Sequence, residues 1–188
     1  MKPIGEEKIV YQGNIVEVVQ RDFQAGDKVK TFEMARRAPG TRLIIVSPEK
    51  KILITKEFRN EAGGYDYRLP GGKVFDSLID YNSYLKSGAS LLGAADLAAR
   101  KEAMEECAIE VESLEHLATS KCGATMEWDL YYFLVDKYKS LANQHLEAGE
   151  DITTEWLSFD EARELCLSGK MQEDRSVAVL LRWLHKEI

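Results

Sequence analysis

Alternation of apolar and polar side chains dominates the first part of the chain. Residues 9–19 and 28–36 alternate on either side of Gly26-Asp27, a pair suited to a tight turn, and predict a β-hairpin near the start. The β-branched runs 43–46 and 52–54, joined by Pro48-Glu49-Lys50, predict a second hairpin with buried strands. Residues 76–87 mix apolar and polar positions in a way that suits a short helix or an ordered loop, broken at Ser87-Gly88. From residue 92 the period changes: Ala95, Ala98, Ala99, Ala103 and Met104 recur at helical spacing through to Cys107. Residues 130–135 read as a central strand and 154–159 as another. Residues 160–168 form an amphipathic helical pattern with Asp160 as N-cap and Gly169 as its stop, and 176–186 carry Val177, Leu180, Leu181 and Leu184 on a last helix. Strands interleaved with helices predict an α/β fold, a sandwich with a mixed sheet.

Composition bounds this picture. The 188 residues, 45% hydrophobic, suit one domain with a small appendage, divided at about residue 37: an N-terminal β-sheet element over 1–37 and a main domain over 38–188. A net charge of −7 argues against a partner such as duplex nucleic acid or an anionic membrane, whose binding depends on Lys and Arg neutralising phosphates. A small anionic substrate is compatible if a metal and local arginines meet its charge. Cys107, Cys122 and Cys166 are odd in number and lack CxxC spacing, so neither a disulfide framework nor a zinc site is expected. With no apolar leader and no run long enough to span a bilayer, the expected location is cytoplasmic.

The stretch Lys101-Glu102-Ala103-Met104-Glu105-Glu106 carries the chemistry. On a helix, Glu102, Glu105 and Glu106 stand at i, i+3 and i+4, where like charges oppose folding. A hard divalent cation that prefers oxygen ligands and bridges carboxylates to phosphates would offset that repulsion; the bland alternative is a solvated acidic face. Arg68-Leu69-Pro70-Gly71-Gly72 precedes it, a turn that lets backbone approach an ion or ligand closely.

Together, Gly72 and Lys101-Glu102-Ala103-Met104-Glu105-Glu106-Cys107-Ala108-Ile109, with Ala98-Ala99-Arg100 before them, resemble the Nudix box. Lys56-Glu57-Phe58-Arg59 leading into Leu69-Pro70-Gly71-Gly72 is similar to the segment before the box in ADP-ribose and nucleotide-sugar pyrophosphatases. Gly149-Glu150-Asp151-Ile152, Gly169-Lys170, Ser176-Val177-Ala178 and Trp183-Leu184 resemble the later part of that branch. Three departures stand out: lysine at 101 for the box arginine, Ala108 for its last glycine, and Gly93 where the family has a glutamate. The box loop also holds roughly fifteen extra residues, an insertion at about 75–92. Loss of the acid together with the guanidinium fork is coherent, because lysine cannot reproduce bidentate pairing. Asp76, Asp80 and Asp96 are candidates for a rebuilt brace. Ala108 predicts a helix that runs on or ends without a left-handed residue, since that conformation costs alanine about 1 kcal/mol.

The resemblance implies a Nudix-type α/β/α sandwich that hydrolyses the pyrophosphate of a nucleoside diphosphate linked to another group, with ADP-ribose or a nucleotide sugar as the small-molecule substrate. It implies Mg²⁺, for which Mn²⁺ can substitute, held by Glu102 and Glu106 with the Gly71 carbonyl, and Glu105 as a shared ligand or support. The general base belongs outside the metal cluster, because a metal-bound carboxylate accepts protons poorly. Glu150 occupies the matching late-loop place, with Glu147 as the alternate. Arg59, by resemblance, and Arg37, by location, would grip phosphate or ribose. Phe32, Tyr65 and Tyr67 are candidates to stack on a base, whereas Trp128, Trp156 and Trp183 read as core. Glu127 reads as an exposed loop acid ahead of a strand, with a site-facing role as the alternative. The insertion around Tyr81, Tyr84 and Leu85 is expected to form a lid, a specificity wall or a contact with a second subunit, since branches with an N-terminal sheet often form homodimers. Hydrolysis of nucleoside triphosphates or capped nucleotides, and a nucleotide-sensing module with impaired turnover, are the competing readings.

Overall fold

The computed structural model describes residues 2–59, 63–147 and 149–187. In chain order the elements are β1 (Lys2–Gln12), β2 (Val16–Ala25), β3 (Lys28–Arg37), β4 (Gly40–Ile45), β5 (Lys51–Arg59) and β6 (Gly64–Arg68). Then come helices α1 (Leu78–Ser87) and α2 (Leu91–Cys107), strands β7 (Ile109–Ser120), β8 (Met126–Glu127), β9 (Leu130–Ser140) and β10 (Ile152–Ser158), and helices α3 (Phe159–Leu167) and α4 (Asp174–Leu184). They make an α/β fold with three sheets, ordered β1-β2-β3-β8, β10-β5-β6 and β4-β9-β7.

The expected first hairpin turns at Gly26-Asp27, with Ala25 paired to Lys28 and Val16 to Arg37. Its first arm is not residues 9–19, because Gly13 bonds back to Val16 and splits that stretch between β1 and β2. The second expected hairpin does not form. β4 pairs in parallel with β9, β5 pairs with β10 and β6, and a single bridge from Val46 to Ile52 joins the two runs. Period-2 patterning marks both as buried strands, but β9 lies 90 residues from β4 and β10 lies 95 to 107 residues from β5, where local pattern carries no signal.

Alternation in these strands builds two cores. Ile44, Ile52, Ile54, Leu130 and Tyr132 face α3 and α4, whereas Leu43, Ile45, Leu53, Tyr131, Phe133 and Val135 face α2. Strands buried on both sides thus read as continuous apolar runs. β7, which closes the β4-β9-β7 sheet, carries the alternation only over Ile109-Glu110-Val111-Glu112; after that the period breaks and no residue is fully buried, so the sequence does not mark it.

Two caps depart from expectation. The N-cap of α3 is Ser158, which accepts from the Glu161 N–H in a reciprocal capping box, and Asp160 falls inside the helix. Ala108 does adopt the left-handed conformation, φ 53° and ψ 45°, and its N–H bonds the Ala103 carbonyl. The chain must turn sharply there to enter β7, and Leu141 donates to the Ala108 carbonyl at 2.7 Å, so tertiary contacts hold the strained residue.

The inserted α1 packs toward the N-terminal sheet. Asn82 Nδ2 donates to the buried Glu17 at 3.0 Å, and Tyr81 reaches Glu127. Glu127 is therefore no loop acid: it joins Glu7 and Glu17 around the Arg36 guanidinium. Burial alone would lower the affinity of Arg36 for its proton, but the hydrogen bonds it donates to Glu7 and Glu127 outweigh it and raise the pKa. No residue of α1 lines the cleft described below.

Candidate active site

The site grows out of one face of α2. Ala95, Ala99 and Ala103 stand four residues apart and are fully buried, so small side chains bring the helix close to the sheet. Glu106 continues that buried stripe by one further step of three, which places a carboxylate where the sheet ends. There the Gly71 N–H donates to Glu106 Oε2 at 2.8 Å. The glycine turn is packed too tightly for side chains. Gly71 lies at φ 138°, and a Cβ on it would overlap the Thr41 carbonyl. A Cβ on Gly72 would overlap the Glu102 carboxylate, so the missing side chain is the space Glu102 occupies. Thr41 and Leu43 donate to the Gly72 and Pro70 carbonyls, both at 2.9 Å, which ties the turn to β4.

Glu102, Glu105, Glu106 and Gly71 line a cavity of about 520 Å³ together with Arg37, Arg59, Glu147 and Glu150. The structure thus brings the eight residues expected to hold metal, take a proton or grip phosphate to one cleft. Burial pushes the Glu106 carboxyl up to about 8, more than its bond from Gly71 lowers it, and the neighbouring Glu102 adds to the rise. Burial likewise raises Glu102 to about 7; Lys101 opposes this and Glu105 and Glu150 reinforce it. Clustered carboxyls held near neutrality are groups short of positive charge.

The late loop docks on the end of α2. The His145 N–H donates to the Glu105 carbonyl at 2.9 Å, and Gln144 Nε2 donates to the Glu106 carbonyl. Those carbonyls have no intrahelical partner, so the loop satisfies them and brings Glu147 and Glu150 to the cleft. Within it the Glu147 N–H donates to Glu150 Oε2 at 2.9 Å. Lys101 contacts Glu105 at 3.2 Å and Glu147 at 3.8 Å. None of the proposed aspartates braces it: Asp96 pairs with Arg100, Asp80 bonds Ser77, and Asp76 lines the cleft without an ion pair among the described residues.

Several cleft residues are not among those candidates. Arg42 on β4 is buried and binds Glu173 through Nε and Nη2, both at 2.9 Å. Glu57 on β5 faces the cleft, raised by burial although Arg59 and Arg68 oppose it. Trp128 is half-buried: it packs against the core beneath α3 and α4 and also lines the cleft, with the guanidiniums of Arg37 and Arg175 over its ring at 4.5 and 4.2 Å. Trp156 is exposed at the surface, stacked on Tyr138, and only Trp183 is fully in the core. Phe32, Tyr65 and Tyr67 do not line the cleft: Phe32 packs edge-on to Phe23, and Lys56 lies over both tyrosines. Residues alternating along a strand signal which face is shared, and Glu57 could have been found from Arg59 two positions on. Nothing local marks Arg42 or Trp128.

Among the described residues no three carboxylate, histidine or cysteine side chains already converge as a metal-holding group. The donors present are nevertheless all oxygen, and neither the half-buried Glu102 nor the buried Glu106 has a cationic partner within ion-pair distance among those residues. That donor set and that charge deficit fit a hard divalent cation.

A sandwich that sets a carboxylate-bearing helix against a glycine turn, with arginines across the cleft, defines a phosphoanhydride hydrolase. A NUDIX domain model matches residues 36–180, and the chain belongs to the Nudix family of hydrolases. It is 26% identical over 167 residues to a CMP-5'-(N-acetyl-N-hydroxy-3-aminopropyl)phosphonate hydrolase from Streptomyces rubellomurinus (strain ATCC 31215), covering 87% of this chain and 73% of that protein. Its fold matches a crystal structure of an ADP compounds hydrolase with a TM-score of 0.70, over 100% of this chain and 94% of the other, at 16% identity. No helix among the described residues is long and apolar enough to cross a membrane.

Proposed function

We propose that this chain is a divalent-cation-dependent pyrophosphatase of a nucleoside diphosphate linked to another group, ADP-ribose or a nucleotide sugar, releasing a nucleoside monophosphate and a sugar phosphate. The observation that carries it is the pair of the half-buried Glu102 and the buried Glu106, short of positive charge, in a cleft that also holds Arg37 and Arg59. Support for the substrate class comes from the relative acting on a cytidylyl phosphonate and the fold match to an ADP compounds hydrolase. Glu102, Glu106, Glu105 and the Gly71 carbonyl would hold Mg²⁺, or Mn²⁺ in its place. A cation bound there neutralises phosphate charge and makes an attacking water more acidic.

The chain's own groups do the rest. Glu150, beside the cluster but not on its helix, takes the proton of the attacking water, with Glu147 its neighbour in the same loop. Arg59, held by Glu57 at 2.8 Å, and Arg37 present N–H edges to phosphate oxygens or a ribose. Turnover of nucleotide sugars and dinucleotides with Mg²⁺ tests the reading. Glu106→Gln should lower kcat by about 10³-fold or more without unfolding the protein, and Glu150→Gln should lower kcat while cation affinity is kept. Unchanged kcat in Glu106→Gln would remove the metal assignment.

We further assign the N-terminal sheet to a homodimer contact: Ile9, Val10, Tyr11, Val29 and Phe32 are exposed on it, at 43–60% of their surface. Light scattering should give about twice the chain mass, and a monomer at micromolar concentration would refute the contact. The three free thiols suit a cytoplasmic location.

A further inference from the structure

Ten arginines occur in the chain, and among the described residues seven of them have a carboxylate within ion-pair distance: Arg21, Arg36, Arg42, Arg59, Arg68, Arg100 and Arg163. Of the other three, Arg182 is exposed and needs none. Arg37 and Arg175 are half-buried, and both lie over Trp128.

The ring cannot complete them. Its π-face attracts a cation but offers no lone pair to N–H groups, so a stacked guanidinium keeps its donor edge free and fixed in plane. Arg175 does not itself line the cleft: its Nη1 bonds the Trp128 carbonyl at 2.7 Å and its Nη2 is buried without an acceptor among the described residues, so it fixes the ring and adds positive charge beside Arg37. Arg37 is surrounded by charge of its own sign, from Arg42, Arg175 and Arg59, with Glu173 the opposing acid. Glu173 is already engaged by both Nε and Nη2 of Arg42. This corner of the cleft is therefore positive and short of oxygen acceptors, whereas the α2 end is negative and short of cations.

A pyrophosphate bridge held by cation and Arg59 at the acidic end leaves the Trp128 corner unmatched. We propose that Arg37, stacked on Trp128 and reinforced by the charge of Arg175, seats a second anionic group of the substrate, a phosphate or carboxylate outside the pyrophosphate bridge. This rests on the pyrophosphatase reading above and narrows its substrate class. Planar, fixed guanidinium edges suit either oxyanion, which could sit on the nucleoside ribose or on the group beyond the bridge.

Two matched pairs distinguish those sources: ADP-ribose against its 2′-phosphate, and UDP-glucose against UDP-glucuronate. With Mg²⁺, kcat/KM should favour the anionic member of one pair by about tenfold or more, mainly through KM; Arg37→Gln should erase that ratio, Arg175→Gln should reduce it, and Arg37→Lys should keep part of it. Equal kcat/KM within both pairs, or a preference that survives both glutamine variants, overturns the proposal. Calorimetric titration of the same four compounds without metal gives an independent answer. Tighter binding of an anionic member, lost in the variants, with no turnover of any compound would sink the hydrolase reading and keep the subsite. Equal affinities in the wild type would sink the subsite whatever the turnover.

Discussion

Gly72 and Glu102 are a fitted pair, the glycine's absent side chain being the volume that the carboxylate fills. Gly72→Ala should push the carboxylate aside and lower kcat/KM by about 100-fold, because misplacement by an ångström is enough for that. The thermal midpoint should change little, since a surface glutamate tip can move. Retained activity in Gly72→Ala would show that the position of Glu102 is not critical. Arg59 matters in a similar way, its Nε buried without a hydrogen-bond partner among the described residues while another nitrogen pairs with Glu57. An acceptor from a phosphate would satisfy it.

At the scale of elements, the end of α2 is the weak point. Ala108 carries a left-handed backbone that glycine adopts freely, so Ala108→Gly should stabilise the protein by about 1 kcal/mol in urea titration. A destabilised variant would mean that the alanine methyl contributes packing greater than its strain. The start of α3 shows the reverse situation, where Ser158 and Glu161 exchange bonds and local sequence alone specifies the cap. The helix with the clustered carboxylates is the more strained of the two. It is held from outside by the Leu141, His145 and Gln144 contacts, which also position the loop carrying Glu147 and Glu150.

The whole molecule is joined through the buried Arg42–Glu173 pair, 131 residues apart in sequence, which links β4 to the N-terminus of α4. Burial would raise Glu173, but the charge and hydrogen bonds of Arg42, with Ser176, hold it at about 2. Its folded value lies below the ordinary 4.5, so the stability it contributes is present above about 4.5 and is lost as pH falls toward 2. Glu173→Gln should destabilise the protein by about 3–5 kcal/mol at pH 7, leaving Arg42 buried and unpaired, and should flatten the acid limb of its stability curve. An acid limb with unchanged slope in the variant would assign that loss to other carboxylates.

Local pattern was enough for most elements and for the carboxylate cluster. Alternation marked the buried strands, small residues at helical spacing marked α2, and three glutamates beside that stripe, with a glycine turn ahead, marked the family's chemistry. Those signals are readable because side-chain period follows backbone geometry over a few residues. Strand partners, the docking of α1 on the N-terminal sheet, the left-handed Ala108 and the setting of Trp128 between distant arginines were settled by the folded chain. Each depends on groups far apart in sequence meeting in space, and no local periodicity encodes which distant surface a segment will meet.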